Sequence, residues 1–226
     1  MIIAAVTLMQ PAGLVGSYSG FPGCSNPLGI PMRVLSHSVT AQLGKSTDAV
    51  QTLTLIKNLG KLTGAITIQI PTHVRGAGTM GALQGLTFGA SWDKVPVTLT
   101  APSWGLDTNT NALISKDGFV TAQVTVKPNA THALRINWTG DVMMAGADGK
   151  ERVLAYDLTT LGGWQSSIGK FNYSIQTGSP NPIFSVIGKV PKAGWQVGTK
   201  GAFLSANNYS PTSGMTMYFT YYPNSY

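Results

Sequence analysis

Apolar and polar residues alternate along most of this chain with a period of two. In the stretch Val153 to Thr177, Leu154, Tyr156 and Leu158 fall on one parity, and Ala155 and Asp157 on the other. Beyond Gly162, Gly163 and Trp164, the residues Phe171, Tyr173 and Ile175 alternate with Asn172, Ser174 and Gln176. Successive side chains of an extended strand point to opposite faces, so each run predicts a strand with one apolar and one polar face.

The same reading extends to both ends of the chain. Leu35, His37, Val39, Ala41 and Leu43 share a parity, and Val50 to Lys57 forms a run rich in Thr and Leu. Ile66, Ile68 and Ile70 make a third strand, which Pro71 is expected to end. Leu86, Phe88, Ala90 and Trp92 lead into an Asp93-Lys94 turn, and Val95, Val97 and Leu99 complete a hairpin. Ala101 to Ser115 reads as a polar loop, with Asp117-Gly118 and Asp148-Gly149 as turn signals further on. Val120 to Val126, Leu134 to Trp138, Ile183 to Val190, Trp195 to Val197 and Ala202 to Ala206 are strands. So is the closing run Met215, Met217, Phe219, Tyr221.

About a dozen strands without an amphipathic helix predict an all-β fold, an antiparallel β-sandwich. Two packed sub-sandwiches are the variant of that expectation. Residues 1–20 read either as a signal peptide, from the apolar run IIAAVTLM and the small residues after it, or as a first strand. Residues 21–226 read as a single β-sandwich domain. No stretch approaches the length of a transmembrane helix, so none is expected.

Composition changes the picture at one point. Hydrophobic content is 43%, but charged residues are only 10%, against about 25% in a typical soluble domain. The polar faces are therefore filled by Thr, Ser, Asn, Gln and Gly. Net charge is +7, yet Lys45, Lys57, Lys61, Arg75, Lys94, Lys116 and Lys127 stand singly near run ends. That spacing predicts no nucleic-acid partner and leaves open a weak affinity for anionic surfaces. Cys24 is the single cysteine, which excludes an intrachain disulfide and a cysteine-based zinc site.

Candidate chemistry is sparse. Gly76-Ala77-Gly78-Thr79-Met80-Gly81 matches a dinucleotide fingerprint in letters. It lacks the helix whose N-terminus would meet a pyrophosphate, so no cofactor is expected. His37, His73 and His132 make a metal site only if the fold gathers them, and the parity of His37 favours a hydrogen-bonded core residue. No metal ligands and no catalytic residues are assigned. Gly16-Ser17-Tyr18-Ser19-Gly20 carries Tyr where a nucleophile elbow needs Ser. Asp157, on a strand, is expected to form a structural ion pair with a base such as Arg152. Trp104 in the polar loop and Trp164 in the glycine connection are the candidates for stacking on a ligand such as a sugar ring; capping the edge of the core is their other reading. Tyr218, Tyr222 and Tyr226 place the C-terminal strand near an edge, through which the chain is expected to self-associate.

Tyr156-Asp157-Leu158-Thr159-Thr160, Trp164 with Ile168-Gly169-Lys170-Phe171, Asn208-Tyr209-Ser210-Pro211-Thr212 and Tyr218-Phe219 carry a resemblance. Over residues 153–222 the chain resembles a group of exported bacterial all-β proteins with no established activity. The resemblance implies a β-sandwich and export, and transfers no functional residues. Together these readings predict a non-catalytic exported or cell-surface β-sandwich, extracellular or periplasmic, with a structural or binding role. A virion capsid or filament subunit is the alternative, and a carbohydrate-binding module the third reading.

Overall fold

The computed structural model describes residues 16–44, 47–75, 87–100, 104–107, 112–115, 119–141, 143–145, 151–158, 164, 167–177, 183–187, 194–198, 201–210 and 216–222. In chain order the strands are β1 (Gly16–Ser19), β2 (Gly23–Ser25), β3 (Met32–Leu43), β4 (Thr47–Asn58), β5 (Gly64–Arg75) and β6 (Thr87–Trp92). Next come β7 (Val95–Pro96), β8 (Trp104–Asp107), β9 (Ala112–Ser115), β10 (Phe119–Val126), β11 (Thr131–Asp141) and β12 (Met143–Ala145). The last are β13 (Glu151–Asp157), β14 (Ile168–Thr177), β15 (Ile183–Ile187), β16 (Gln196–Gly198), β17 (Gly201–Tyr209) and β18 (Thr216–Tyr222).

One layer is an eight-stranded sheet in the order β16-β17-β14-β3-β4-β11-β6-β7. The other layer is two smaller sheets. In one, β5 pairs with β1, β2 and β10; the other runs β12-β13-β18-β15. A bridge between Gly20 and Asp157 joins the two, and the Phe21 N–H donates to the Asp157 carbonyl at 2.7 Å. A Cβ on Gly20 would run into the Asp157 backbone, so only glycine lets the two sheets meet there. The smaller sheets cover one face of the large sheet, and a hydrophobic cluster runs continuously from Ile66, Ile68 and Ile70 to Tyr173 and Phe219. The fold is thus the expected all-β sandwich.

The alternation places the core. In β14 the residues Phe171, Tyr173 and Ile175 are buried, and Asn172, Ser174 and Gln176 look outward, as the sequence predicts. The structure corrects five details. First, Met32, Val34, His37, Val39, Ala41 and Leu43 are buried in β3 while Leu35 is exposed, because a bulge between Val34 and Ser36 shifts the register. One extra residue in a strand reverses the facing of everything on its far side. Gly169 of β14 accommodates the bulge: a Cβ there would lie 2.5 Å from the Leu35 carbonyl oxygen.

Second, β5 continues through Pro71 to Arg75. On one side of β5 the partner changes at this point, β2 ending opposite Gln69 and β1 ending opposite Thr72, so the missing N–H falls in a gap in the ladder. Third, part of the predicted loop at 101–115 forms the β8–β9 hairpin. Fourth, the C-terminal strand β18 is not an edge, because β13 and β15 pair with it on both sides. Fifth, β13 buries both parities from Val153 to Leu158, Ala155 and Asp157 included. Among the described strands the pairing is antiparallel apart from β14 with β3, and the Gly20–Asp157 bridge is parallel too.

Candidate functional site

Among the described residues the inner face of the large sheet carries two buried histidines, His37 and His132, and both are hydrogen-bonded. His37 on β3 lies beside Thr54 of β4 in the ladder. Its Nδ1 is 2.9 Å from the Thr54 hydroxyl and its Nε2 2.7 Å from the Tyr156 hydroxyl. Phe171 stacks on the ring and Phe21 meets it edge-on. Burial lowers the pKa of His37 to about 3, so the imidazole is neutral. His132 accepts the Lys127 backbone N–H at Nε2, which places its proton on Nδ1, 2.7 Å from Asp93 Oδ2. Both rings have used both nitrogens, and the two sit in separate clusters. The side chain of His73 lies outside the described residues. Among the described residues no group of three metal-ligating side chains comes together.

A second polar cluster lies under β18. Asp48 Oδ1 accepts the Gly44 N–H at 3.1 Å and the Tyr221 hydroxyl at 3.4 Å. Burial raises the Asp48 pKa to about 7, against the pull of those two hydrogen bonds and of the Arg152 charge. The β13–β18 register explains Arg152: it pairs with Tyr221, on the same face as Leu154, Phe219 and Tyr156. Asp157 is on the opposite face and five positions away, about 17 Å along a strand. The expected pairing of Asp157 with Arg152 is therefore corrected; the charge of Arg152 is felt at Asp48. Tyr173, Trp195 and Phe219 pack together beside this cluster, with ring centroids 4.9 to 5.6 Å apart.

The sequence candidates scatter. Trp164 is half-buried against the core and donates its indole N–H to the Pro22 carbonyl at 2.7 Å, an anchoring contact between the connection and the β1–β2 segment. Trp104 belongs to β8, and its side chain lies outside the described residues. The glycine motif at 76–81 and the run IIAAVTLM also lie outside them. Cys24 is buried in β2, where burial raises its thiol to about 12 and keeps it protonated.

The outer face of the eight-stranded sheet is different in kind. Its register aligns Phe203, Ser174, Thr40, Gln51 and Asn137 in one row across five strands. The next row is Ser205, Asn172, Ser38, Leu53 and Arg135. Ser205 donates to Asn172 Oδ1 at 2.9 Å, so part of the row is ordered. At the β16–β17 edge a shallow groove of about 400 Å³ is lined by residues that include Ser174, Gln196, Val197 and Phe203. Phe203 is 41% exposed and is paired in the ladder with Ser174 on one side and Gln196 on the other. Sequence reasoning missed it, although its parity, opposite to Ala202 and Leu204, was a readable signal.

No protein-family model matches the chain, and no curated protein matches it. Among solved structures, a Legionella pneumophila "putative nutrient binding protein" superposes with a TM-score of 0.61 at 13% identity, over 91% of this chain and 71% of its own. An M1 zinc metallopeptidase from Deinococcus radiodurans matches with a TM-score of 0.41 at 10% identity, over 84% of this chain and 42% of its own. At these identities the first likeness shows the all-β fold alone, and the second carries no argument.

Proposed function

We propose that the protein is a non-catalytic binding module, exported or displayed at a surface, that takes neutral hydroxyl-rich chains on the outer face of its large sheet. The carrying observation is the row Phe203, Ser174, Thr40, Gln51 and Asn137 beside the groove at Gln196. Amides and hydroxyls exchange hydrogen bonds with sugar hydroxyls without the desolvation cost of an ion, and an exposed aromatic ring offers an apolar face for stacking. The description of the Legionella protein as nutrient binding agrees with a binding role.

Retention on a panel of insoluble polysaccharides tests the reading. The wild type is expected to be retained on at least one, and Phe203→Ala to weaken retention by about tenfold, the loss of one stacked ring. Absence of retention on every member, or full retention by Phe203→Ala, would overturn it. Export is tested separately by the intact mass of the protein from its own source. A chain lacking the first 20 or so residues supports export; one beginning at Met1 or Ile2 removes the signal peptide and favours the capsid or filament reading.

A further inference from the structure

The cations that stand singly in the sequence gather at one end of the sandwich. The register brings the start of β3 beside the end of β4, with Met32 opposite Asn58. It also sets Thr131 opposite Lys57, Val126 opposite Gly64, and Trp92 opposite Leu134. The turns at residues 26–31, 58–63, 93–94 and 127–130 therefore share one end. They and the two residues on either side of each carry Arg33, Lys57, Lys61, Lys94 and Lys127 against a single acid, Asp93. That acid is half-exposed beside Lys127, and both of its oxygens are engaged: Oδ2 faces His132 and Oδ1 accepts the Ala133 N–H at 2.8 Å, which leaves the cations in clear excess.

The same end holds large apolar side chains in solvent. Leu28 is 56% exposed, Leu59 49%, Leu62 60% and Val95 65%. These are four of the seven large hydrophobic residues that stand exposed among the described residues, so they are concentrated rather than scattered. None sits on a strand whose alternation would explain an outward leucine; Leu28, Leu59 and Leu62 lie on turns between strands.

The platform is pre-formed. Asn58 is fully buried and its side chain ties its own turn to the 127–130 turn: Nδ2 donates to the Leu62 carbonyl at 3.0 Å and the Lys127 carbonyl at 2.9 Å, and Oδ1 accepts the Gly60 N–H at 2.8 Å. Asn26 closes the 26–31 turn, donating to the Ile30 carbonyl at 2.7 Å and accepting the Ile30 N–H at 3.1 Å. Little ordering cost is left for a binding event. From β3 to β7 the large sheet spans four strand spacings, roughly 19 Å.

We propose that this end docks on the surface of an anionic lipid bilayer, with the leucines and Val95 entering the headgroup region and the five cations resting among the lipid phosphates and carboxylates. Charge complementarity decides the occupant. Exposed leucines and cations on one end suit an anionic surface with an apolar interior, whereas a nucleic acid would meet the cations and leave the leucines in water. Each cation near such a surface contributes about 1 kcal/mol, and the contribution is screened by salt. Burial of the leucines adds a part that salt does not remove.

The test is co-sedimentation with phosphatidylcholine vesicles with and without phosphatidylserine. The wild type is expected to bind only vesicles that contain the anionic lipid. Lys61→Glu, Lys94→Glu and Lys127→Glu together are expected to abolish binding, and each single Lys→Ala to weaken it roughly fivefold. Leu28→Ser with Leu62→Ser is expected to leave weak binding that moderate salt removes. All these residues are exposed, so unchanged thermal melting confirms that the variants are folded. The proposal fails if the wild type does not sediment with anionic vesicles, or binds neutral ones equally. It also fails if the leucine variant binds as the wild type does while heparin or duplex DNA competes, which would assign the cations to a soluble polyanion.

Discussion

The two small sheets that cover the large one hold it by different chemistry. The β5–β10 pair presents Ile66, Ile68, Ile70, Val120, Val124 and Val126, all buried and all aliphatic. The β13–β18 pair presents Tyr156, Leu154, Phe219, Tyr221 and Arg152, of which Tyr156 reaches His37 and Tyr221 reaches Asp48 on the sheet below. Aliphatic packing is non-directional and indifferent to pH. Hydrogen-bonded pairs fix orientation and carry groups whose protonation changes on folding. The β5–β10 pair therefore supplies cohesion, and the β13–β18 pair adds to cohesion the pH sensitivity of His37 and Asp48.

The largest expected effect lies in the aliphatic half. Ile68→Ala should cost about 4 kcal/mol of unfolding free energy, and the loss should be the same at every pH in denaturant titrations. A pH-dependent loss would contradict the contrast.

Next in size is the pH response of the polar half. Asp48 has its pKa raised from 3.8 to about 7, so its contribution is present below about pH 4 and is lost as pH rises towards 7. His37 has its pKa lowered from 6.5 to about 3, so its contribution is present above pH 6.5 and is lost as pH falls towards 3. Between these limits the two slopes oppose each other and the wild type should be nearly flat. Asp48→Asn should unmask the histidine, with stability falling on the order of a few kcal/mol as pH drops through the window, at about 1.4 kcal/mol per pKa unit. The variant should also be more stable than the wild type at pH 8. An unchanged pH profile would remove Asp48 from this role.

The smallest effect is Tyr156→Phe. It leaves His37 Nε2 buried without its partner at a cost of about 1–2 kcal/mol, with the sandwich otherwise intact. The readout is the same denaturant titration, with the histidine ring resonances followed by NMR to show that the imidazole has lost a hydrogen bond.

Much of this was legible along the chain and some was not. The parity of Phe171, Tyr173 and Ile175, and of Leu134, Ile136 and Trp138, marked core positions correctly, since period two is a local property of a strand. Leu35 failed the same test because a bulge is a relation between two strands. His37 was readable as a hydrogen-bonded core residue, but its partner Tyr156 lies 119 positions away. Phe203 and the cation cluster went unread for a related reason. An exposed aromatic becomes a candidate site only when its row is known, and solitary lysines become a surface only when turns from distant strands are set side by side.

The sequence by itself determined the class of the protein. Its alternation, its turn residues and its low share of charged residues require strands with one apolar face and one largely neutral polar face, and those strands must pack in layers. Tertiary structure alone decided which strands are neighbours. It set β13 and β14, close in sequence, in opposite layers, and it made β18 an interior strand. It also collected Arg33, Lys57, Lys61, Lys94 and Lys127 at one end. Alternation specifies which way a side chain points, and it carries no information about which strand lies alongside. Long-range pairing is chosen by the packing of the whole core.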